Sequence, residues 1–489
     1  MLIIVIFGAS GDLAKRKTYP VLFSLYRYGF LPKEFKIIGY ARSPLTESEF
    51  HYKLLPFLKK SVVSAVDAEL LDQFLKQCNY MSGDYDASAD FLRLKARMEE
   101  ASVGEDQEYA NIRLFYMALP PTVFITVAQG VRQYLYDPSR ENRLIIEKPF
   151  GRDWESSDVL SSALAQLFSE SELFRIDHYL GKEMVKNIMI LRFGNVFFNA
   201  IWNRQYIASV QVVFKETLGV EGRGGYFDEF GIIRDLMQNH LLQMLTVVAM
   251  ERPATLSAED VRDEKVKVLR AIAPVQLSNV ILGQYTRSAD GQEKGYLEDE
   301  TVPSGSNTPT FAMATISINN ERWAGVPFVL RCGKALNEQK VEIRIQFADV
   351  PGCLFPNAAR NELVIRVQPN EAVYVKMMVK RPGLDSAPIL SDLDLSYASR
   401  YVGLRIPEAY ESLILDALGG DQSNFVRADE LDYAWRIFTP LLHQIEREHI
   451  RPISYPYGSR GPPEADEKLK HLGYVRYSDR QYSWPRQQL

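Results

Sequence analysis

The apolar positions of this chain follow two rhythms. Before about residue 175 they come as unbroken runs, each closed by glycine or proline and followed by an amphipathic stretch. "LIIVIF" (2–7) has no polar position and stops at Gly8, the pattern of a strand buried on both faces. The next stretch, "GASGDLAKRKTYPVLFSLYRYG", carries Leu13, Pro20, Leu22, Phe23 and Leu25 at spacings that suit a helix packed on that strand. "FKIIGYARS" (35–43), "RLFYMALPP" (113–121) and "RLIIEKPFG" (143–151) read as further buried strands, with "TVFITVAQGVRQYLY" (122–136) as a crossover helix. Strands alternating with helices predict a doubly wound parallel sheet, with the loops at its carboxyl edge available to ligands.

From about residue 195 the rhythm changes to partial period-two alternation. "VFFNAIWNRQYIASVQVVFKE" (196–216), "TFAMATISINN" (310–320), "VPFVLRCGK" (326–334), "KVEIRIQFADV" (340–350), "NELVIRVQP" (361–369) and "AVYVKMMVKRP" (372–382) read as strands of a large, mainly antiparallel sheet. Helical periodicity returns in "IIRDLMQNHLLQMLTVVAM" (232–250) and "ELDYAWRIFTPLLHQIERE" (430–448). The expected architecture is an α/β Rossmann-type dinucleotide-binding domain over residues 1–175 and an α+β domain over 176–489.

Composition narrows the partners. A net charge of −5 gives no bulk attraction to nucleic acid or an anionic membrane, so a bound anion requires a local basic cluster. Three cysteines without metal-like spacing point to a reducing, cytoplasmic setting and to no metal centre. "MLIIVIF" is too short for a signal segment and has no basic flank, and no apolar run reaches transmembrane length.

Candidate chemistry falls in two places. The G-x-x-G turn offers Gly8 for a tight bend and Gly11 for close approach of a pyrophosphate to the helix N-terminus that Ala9, Ser10, Asp12 and Leu13 open. A plain βα turn would carry the same glycines. Arg42 follows the second strand where NAD enzymes place an acid, and a cation there suits the 2′-phosphate of NADP, although a solvated loop would also hold it. "FRIDHYLGKEMVK" (174–186) then gathers Asp177, His178, Tyr179 and Lys182, in a chain with six histidines in all. A cation, a phenol and an imidazole each donate to phosphate oxygens, yet charged surface at a domain seam would look alike.

With "GASGDLAKRK", "YARS", "EKPFG", "RIDHYLGKE", "EGRGGYFDEFGIIRDLMQNHLLQ", "RCGKALNE", "RVQPNEAVY" and "YGSRGP" in this order, the chain closely resembles the glucose-6-phosphate dehydrogenase family from Gly8 to its tail. The resemblance implies NADP-dependent oxidation of glucose 6-phosphate at C1 to the lactone, the entry step of the oxidative pentose phosphate pathway. It assigns His240 as the base and Asp177 as its carboxylate partner. It makes His178, Tyr179 and Lys182 a phosphate cradle, and gives Lys148, Glu216, Asp235, Lys334 and Gln368 to the sugar phosphate. Lys148 also faces the cofactor, with Lys17 as a neighbour. On an ideal helix Asp235 and His240 stand about 140° apart, so helical geometry alone does not bring them together.

A second, structural NADP is implied for some members, with Arg331, Lys340, Arg344, Arg366, Tyr374, Arg460 and Trp484 as its counterparts here; a basic patch at a subunit contact explains the same residues. The resemblance also implies a homodimer or homotetramer. Gln339 stands where a second basic residue is expected, and Phe124 where a tyrosine is expected. The competing readings are a dehydrogenase of unphosphorylated sugars and a nucleotide-binding sensor that has lost catalysis. Arg42 and the cradle oppose the first, and the presence of both Asp177 and His240 opposes the second.

Overall fold

The computed structural model describes residues 1–32, 34–101, 111–355, 358–384 and 387–476. By its internal contacts the chain divides into two compact units, and neither is continuous in sequence. The first holds Met1–Asn187, Gln238–Arg270 and Arg405–Leu442; the second holds Ile188–Met237, Ala271–Leu404 and His443–Leu489. The sequence pattern puts a single boundary near residue 175, whereas two later stretches return to the first unit. A change of rhythm marks where the chain leaves a core and carries no sign that it comes back.

The first unit is built on six strands: β1 (Leu2–Phe7), β2 (Phe35–Ala41), β3 (Cys78–Ser82), β4 (Ile112–Met117), β5 (Glu141–Ile146) and β6 (Leu173–Arg175). Their order is β3-β2-β1-β4-β5-β6, all parallel, with Leu2 opposite Phe35 and Ile3 opposite Arg113. Every residue of β1 is buried, as its unbroken apolar run requires. The returning helix Ala409–Gly419 lays Leu413, Ile414 and Leu418 into the same core as Ile4 and Ile6. Phe425 meets Phe174 edge-on at 5.0 Å.

The second unit is built on nine strands: β7 (Ile207–Lys215), β8 (Val280–Thr286), β9 (Phe311–Ser317), β10 (Pro327–Gly333), β11 (Lys340–Phe347), β12 (Glu362–Gln368), β13 (Ala372–Lys380), β14 (Pro388–Ser396) and β15 (Ile453–Pro456). The order is β14-β13-β12-β11-β7-β10-β9-β8-β15, antiparallel except for the β10–β7 and β15–β8 pairs. Parallel β7 and β10 end together, with Lys215 opposite Gly333. Lys215 also faces Lys340 at the start of β11, and Val341 faces Gln368 at the end of β12. Glu216, Lys334 and Gln368 therefore lie along one edge of the sheet.

One expected strand needs correction. Its first part, Val196–Ile201, is helical, and only the part from Ile207 is extended. The apolar run looks like a strand, but its buried members, Phe198 and Trp202, are four apart, while Val196 and Phe197 are exposed. Among the described residues, no helix is long and apolar enough to cross a membrane.

A tight backbone turn follows β1, where Gly8 has φ +79° and a Cβ would stand 2.2 Å from the Ala118 carbonyl oxygen. Gly8→Ala is therefore expected to lose about 2 kcal/mol of stability or more, because both conformation and space exclude the methyl group. Urea unfolding measures this, and a variant as stable as the parent contradicts the turn as described.

Candidate active site

The loop after β1 is arranged to let an anion approach the backbone. The Gly8 N–H donates to the Tyr40 carbonyl and the Gly11 N–H to the Gly8 carbonyl, both at 2.8 Å. The chain then enters a helical stretch through Asp12 and Leu13 that continues as Ala14–Thr18. The first turn of a helix has N–H groups with no intrahelical acceptor, and the missing Cβ of Gly8 lets the turn that leads into it pack against the Ala118 carbonyl and the Leu119 side chain. Ser10 and Ser43 share a hydrogen bond of 3.0 Å, tying this loop to the end of β2. Arg42 is exposed there with its guanidinium carbon 5.7 Å from the centre of the Tyr85 ring. Ala9 is buried, Asp12 pairs with Lys15 and Arg16, and Lys17 donates to Glu408 at 3.3 Å. These residues fit a dinucleotide whose ribose carries a 2′-phosphate.

Past β6 the chain makes successive turns, with the N–H groups of Leu180, Gly181 and Lys182 donating to the carbonyls of Asp177, His178 and Tyr179. Asp177 is buried, and its Oδ1 accepts from the Tyr179 N–H at 3.1 Å and lies 2.5 Å from Nδ1 of His240. Burial pushes the Asp177 carboxyl up, but the charge and hydrogen bond of His240 outweigh it, so the carboxyl is held below its usual range. His240 comes from Ile233–Leu241, a π-helical segment in which hydrogen bonds close over five residues. The five-residue spacing from Asp235 to His240 is thus one such turn, and the ideal-helix angle does not apply.

His178 stands edge-on to His240, with ring centres 4.6 Å apart, and lies parallel to Tyr410 at 5.7 Å. Burial first, and then the charge of His240, hold the His178 imidazole far below its ordinary value, so it stays neutral. Lys182 Nζ sits 5.8 Å from the centre of the Tyr179 ring. Lys148 is half-buried just past β5. An imidazole oriented by a buried carboxylate, beside a second imidazole, a phenol and two lysines, is equipped to take a proton next to a bound anion.

Residues 5–187 match the family described as glucose-6-phosphate dehydrogenase, NAD binding domain, and residues 189–484 match the C-terminal domain of the same enzyme. The chain belongs to the glucose-6-phosphate dehydrogenase family. It is 56% identical over 485 residues to the glucose-6-phosphate 1-dehydrogenase of Aspergillus niger, spanning 99% of this chain and 94% of that one. It is 52% identical to glucose-6-phosphate 1-dehydrogenase 6, cytoplasmic, of Arabidopsis thaliana, covering 97% of this chain and 92% of that one. A solved glucose-6-phosphate dehydrogenase in complex with glucose 6-phosphate superposes with a TM-score of 0.93 at 54% identity, covering 98% of each chain.

In the second unit of this family member, Lys334 Nζ lies 2.6 Å from Glu216 and 3.8 Å from Asp235. Burial works against the Lys334 ammonium, but the two carboxylates outweigh it and raise its pKa. Gln368 ends β12 on the edge that also carries Glu216 and Lys334. The five cations expected at a structural nucleotide already meet carboxylates. Arg331 and Arg460 pair with Asp466. Lys340, Arg344 and Arg366 converge on Glu342, and Arg344 also binds Glu362 at 2.6 Å. Tyr374 lies under Arg366, and Trp484 falls outside the described residues. A second dinucleotide would compete with these carboxylates for each cation.

Two neighbours of the first-unit cluster, buried Glu147 and half-buried Tyr410, escaped the sequence reading. Glu147 accepts from Tyr116 at 2.6 Å and from Tyr410 at 3.4 Å. The signal was available, since an acid directly follows the apolar run of β5. Tyr410 gives no comparable sign. Phe124, in place of the family's tyrosine, is fully buried.

Glu342 is held at about 2, because Arg344, Lys340 and Arg366 outweigh the penalty of its burial. Its contribution is therefore present above the ordinary carboxyl value and lost as pH falls toward 2. Glu342→Gln is expected to cost about 3 kcal/mol at pH 7 by removing the buried charge on which Lys340, Arg344 and Arg366 converge. The deficit relative to the parent should shrink in acid; urea unfolding from pH 7 to pH 3 checks this, and a deficit independent of pH contradicts it.

Proposed function

We propose that this chain oxidises glucose 6-phosphate at C1 to 6-phosphoglucono-δ-lactone and reduces NADP⁺ to NADPH. The observation that carries the reading is the buried Asp177–His240 pair beside His178, Tyr179 and Lys182. The solved relative bound to glucose 6-phosphate supports the choice of substrate. NADP⁺ supplies the hydride acceptor. Nε2 of His240 takes the proton of the C1 hydroxyl, and Asp177, already on Nδ1, stabilises the imidazolium that forms. His178, being neutral, accepts or donates one hydrogen bond without adding a second buried cation, while Tyr179 and Lys182 donate to the phosphate. Lys148 assists substrate and cofactor; Glu216, Asp235, Lys334 and Gln368 bind sugar hydroxyls. Ala9–Leu13 bind the pyrophosphate and Arg42 the 2′-phosphate.

We place the protein in the cytoplasm, as the name of its Arabidopsis relative supports, and read it as a homodimer or homotetramer. Exposed Met377, Val379, Ile389 and Leu393 on β13 and β14 favour a subunit contact there.

The first test follows reduced nicotinamide with glucose 6-phosphate or free glucose, each with NADP⁺ or NAD⁺. Turnover is expected with the phosphorylated sugar and NADP⁺, and its absence ends the proposal. His240→Asn should keep glucose 6-phosphate binding near normal while turnover falls by roughly a hundredfold or more; near-parental turnover moves the base elsewhere. Arg42→Asp should raise the KM for NADP⁺ about tenfold or more, the loss expected for a charge-assisted hydrogen bond to phosphate. An unchanged KM removes Arg42 from the cofactor site.

A further inference from the structure

Glu147 is a buried carboxyl group beside the cluster to which the proposed reaction gives no task. It follows β5 directly, is 4% exposed, and lies one residue before Lys148. Two elements hold its carboxyl group. Tyr116, buried on β4, donates to Oε1 at 2.6 Å, and Tyr410, on the returning helix, donates to Oε2 at 3.4 Å. Both phenols are pushed far above the ordinary tyrosine value, by burial first and then by Glu147, so they remain donors throughout the working range. The Tyr410 ring is the one that lies parallel to His178, with 9° between the planes, and His178 in turn abuts His240. A continuous path of contacts thus runs from Glu147 through Tyr410 to the two imidazoles.

We propose that Glu147 is a positioning residue whose charge state sets how tightly the His178–Tyr179–Lys182 cluster and Lys148 hold the substrate phosphate. This rests on the reading of that cluster as the phosphate cradle. Among the described residues the groups facing the carboxyl are Tyr116 from β4, Tyr410 from the returning helix and Lys148 from its own loop. Burial raises its pKa to about 7 against the opposing effect of the two phenols and Lys148. Below that pH it is neutral, and the lysines face the phosphate without a competing anion. Above it, a carboxylate lies behind the phosphate-binding groups and offsets part of their charge. A phosphate monoester completes its own second ionisation near pH 6, which tightens binding to cations. The two ionisations together give the tightest binding close to neutrality.

The test is the KM for glucose 6-phosphate from pH 6 to 8.5, measured separately from kcat, at saturating NADP⁺ and constant ionic strength. The parent should show KM rising about threefold or more above pH 7. Glu147→Gln keeps the size of the side chain and an acceptor oxygen but cannot ionise, so its KM should stay flat over the same range. Tyr116→Phe removes a donor that favours the carboxylate and lies away from the imidazoles, and it should move the rise to higher pH. An equal rise in the parent and in Glu147→Gln overturns the proposal, as does a uniform KM increase at every pH, which is what a merely structural role would produce. If Glu147→Gln fails to fold, a midpoint unmoved in Tyr116→Phe overturns it instead. Absence of turnover by the parent at every pH would instead mark failure of the functional reading beneath it.

Discussion

A buried carboxylate without a partner is among the costliest groups a protein can hold, and Asp177 is buried on a turn that cannot relax toward water. Its hydrogen bonds come from Tyr179 two residues on and from His240, 63 residues away. That second partner imposes a condition on the whole first unit: Gln238–Arg270 must return to it after the chain has built part of the other unit. The turn itself is clamped by a third stretch. A Cβ on Gly181 would stand 2.5 Å from the Ala409 carbonyl oxygen and 2.7 Å from the Leu413 side chain, so the turn lies hard against the helix that supplies Tyr410. Three separate stretches of chain therefore meet at one ion pair.

The same crowding divides the work between the two histidines. Their ring centres are 4.6 Å apart, close enough that a proton on one opposes a proton on the other. Asp177 lies against Nδ1 of His240 and draws the proton there, while burial and the charge of His240 leave His178 neutral. Under the proposed reaction the base is the imidazole that has the carboxylate. His178 keeps hydrogen-bonding capacity without charge, which would suit it to the phosphate that the proposal sets beside Tyr179 and Lys182.

Much of the first unit was legible because its strands are buried on both faces and so lack polar interruptions. β1, β4 and β5 announce themselves in this way, whereas β3, with "CNYMS" half-buried, does not. In the second unit alternation revealed β9 to β13, but β14, with four polar positions and an edge location, was invisible to it. The Val196–Ile201 helix was misread because apolar content outweighed spacing over a short window. At the site, the residues of 177–182 stood out as a local cluster, while the pairing of Asp177 with His240 depends on tertiary return and entered only through family resemblance. The π-helical segment that holds Asp235 and His240 also defeats ideal-helix arithmetic, because its hydrogen bonds close over five residues.

In the second sheet a cluster of cations has to be read together with its carboxylate partners. Alternation puts Lys340, Glu342 and Arg344 on one face of β11, and antiparallel pairing brings Glu362 and Arg366 of β12 alongside. Counted along the sequence, the basic members look like an anion site. Counted across the ladder, Glu342 and Glu362 take up their charge, and Glu342, fully buried, needs those cations to remain ionised. A phosphate arriving there would have to release carboxylates that the sheet has desolvated. The loop after β1 imposes no such condition: what it would offer an anion are backbone N–H donors at a helix start. The two places share a charge preference and differ in what a ligand must displace, which is why the first unit carries the stronger case for a dinucleotide.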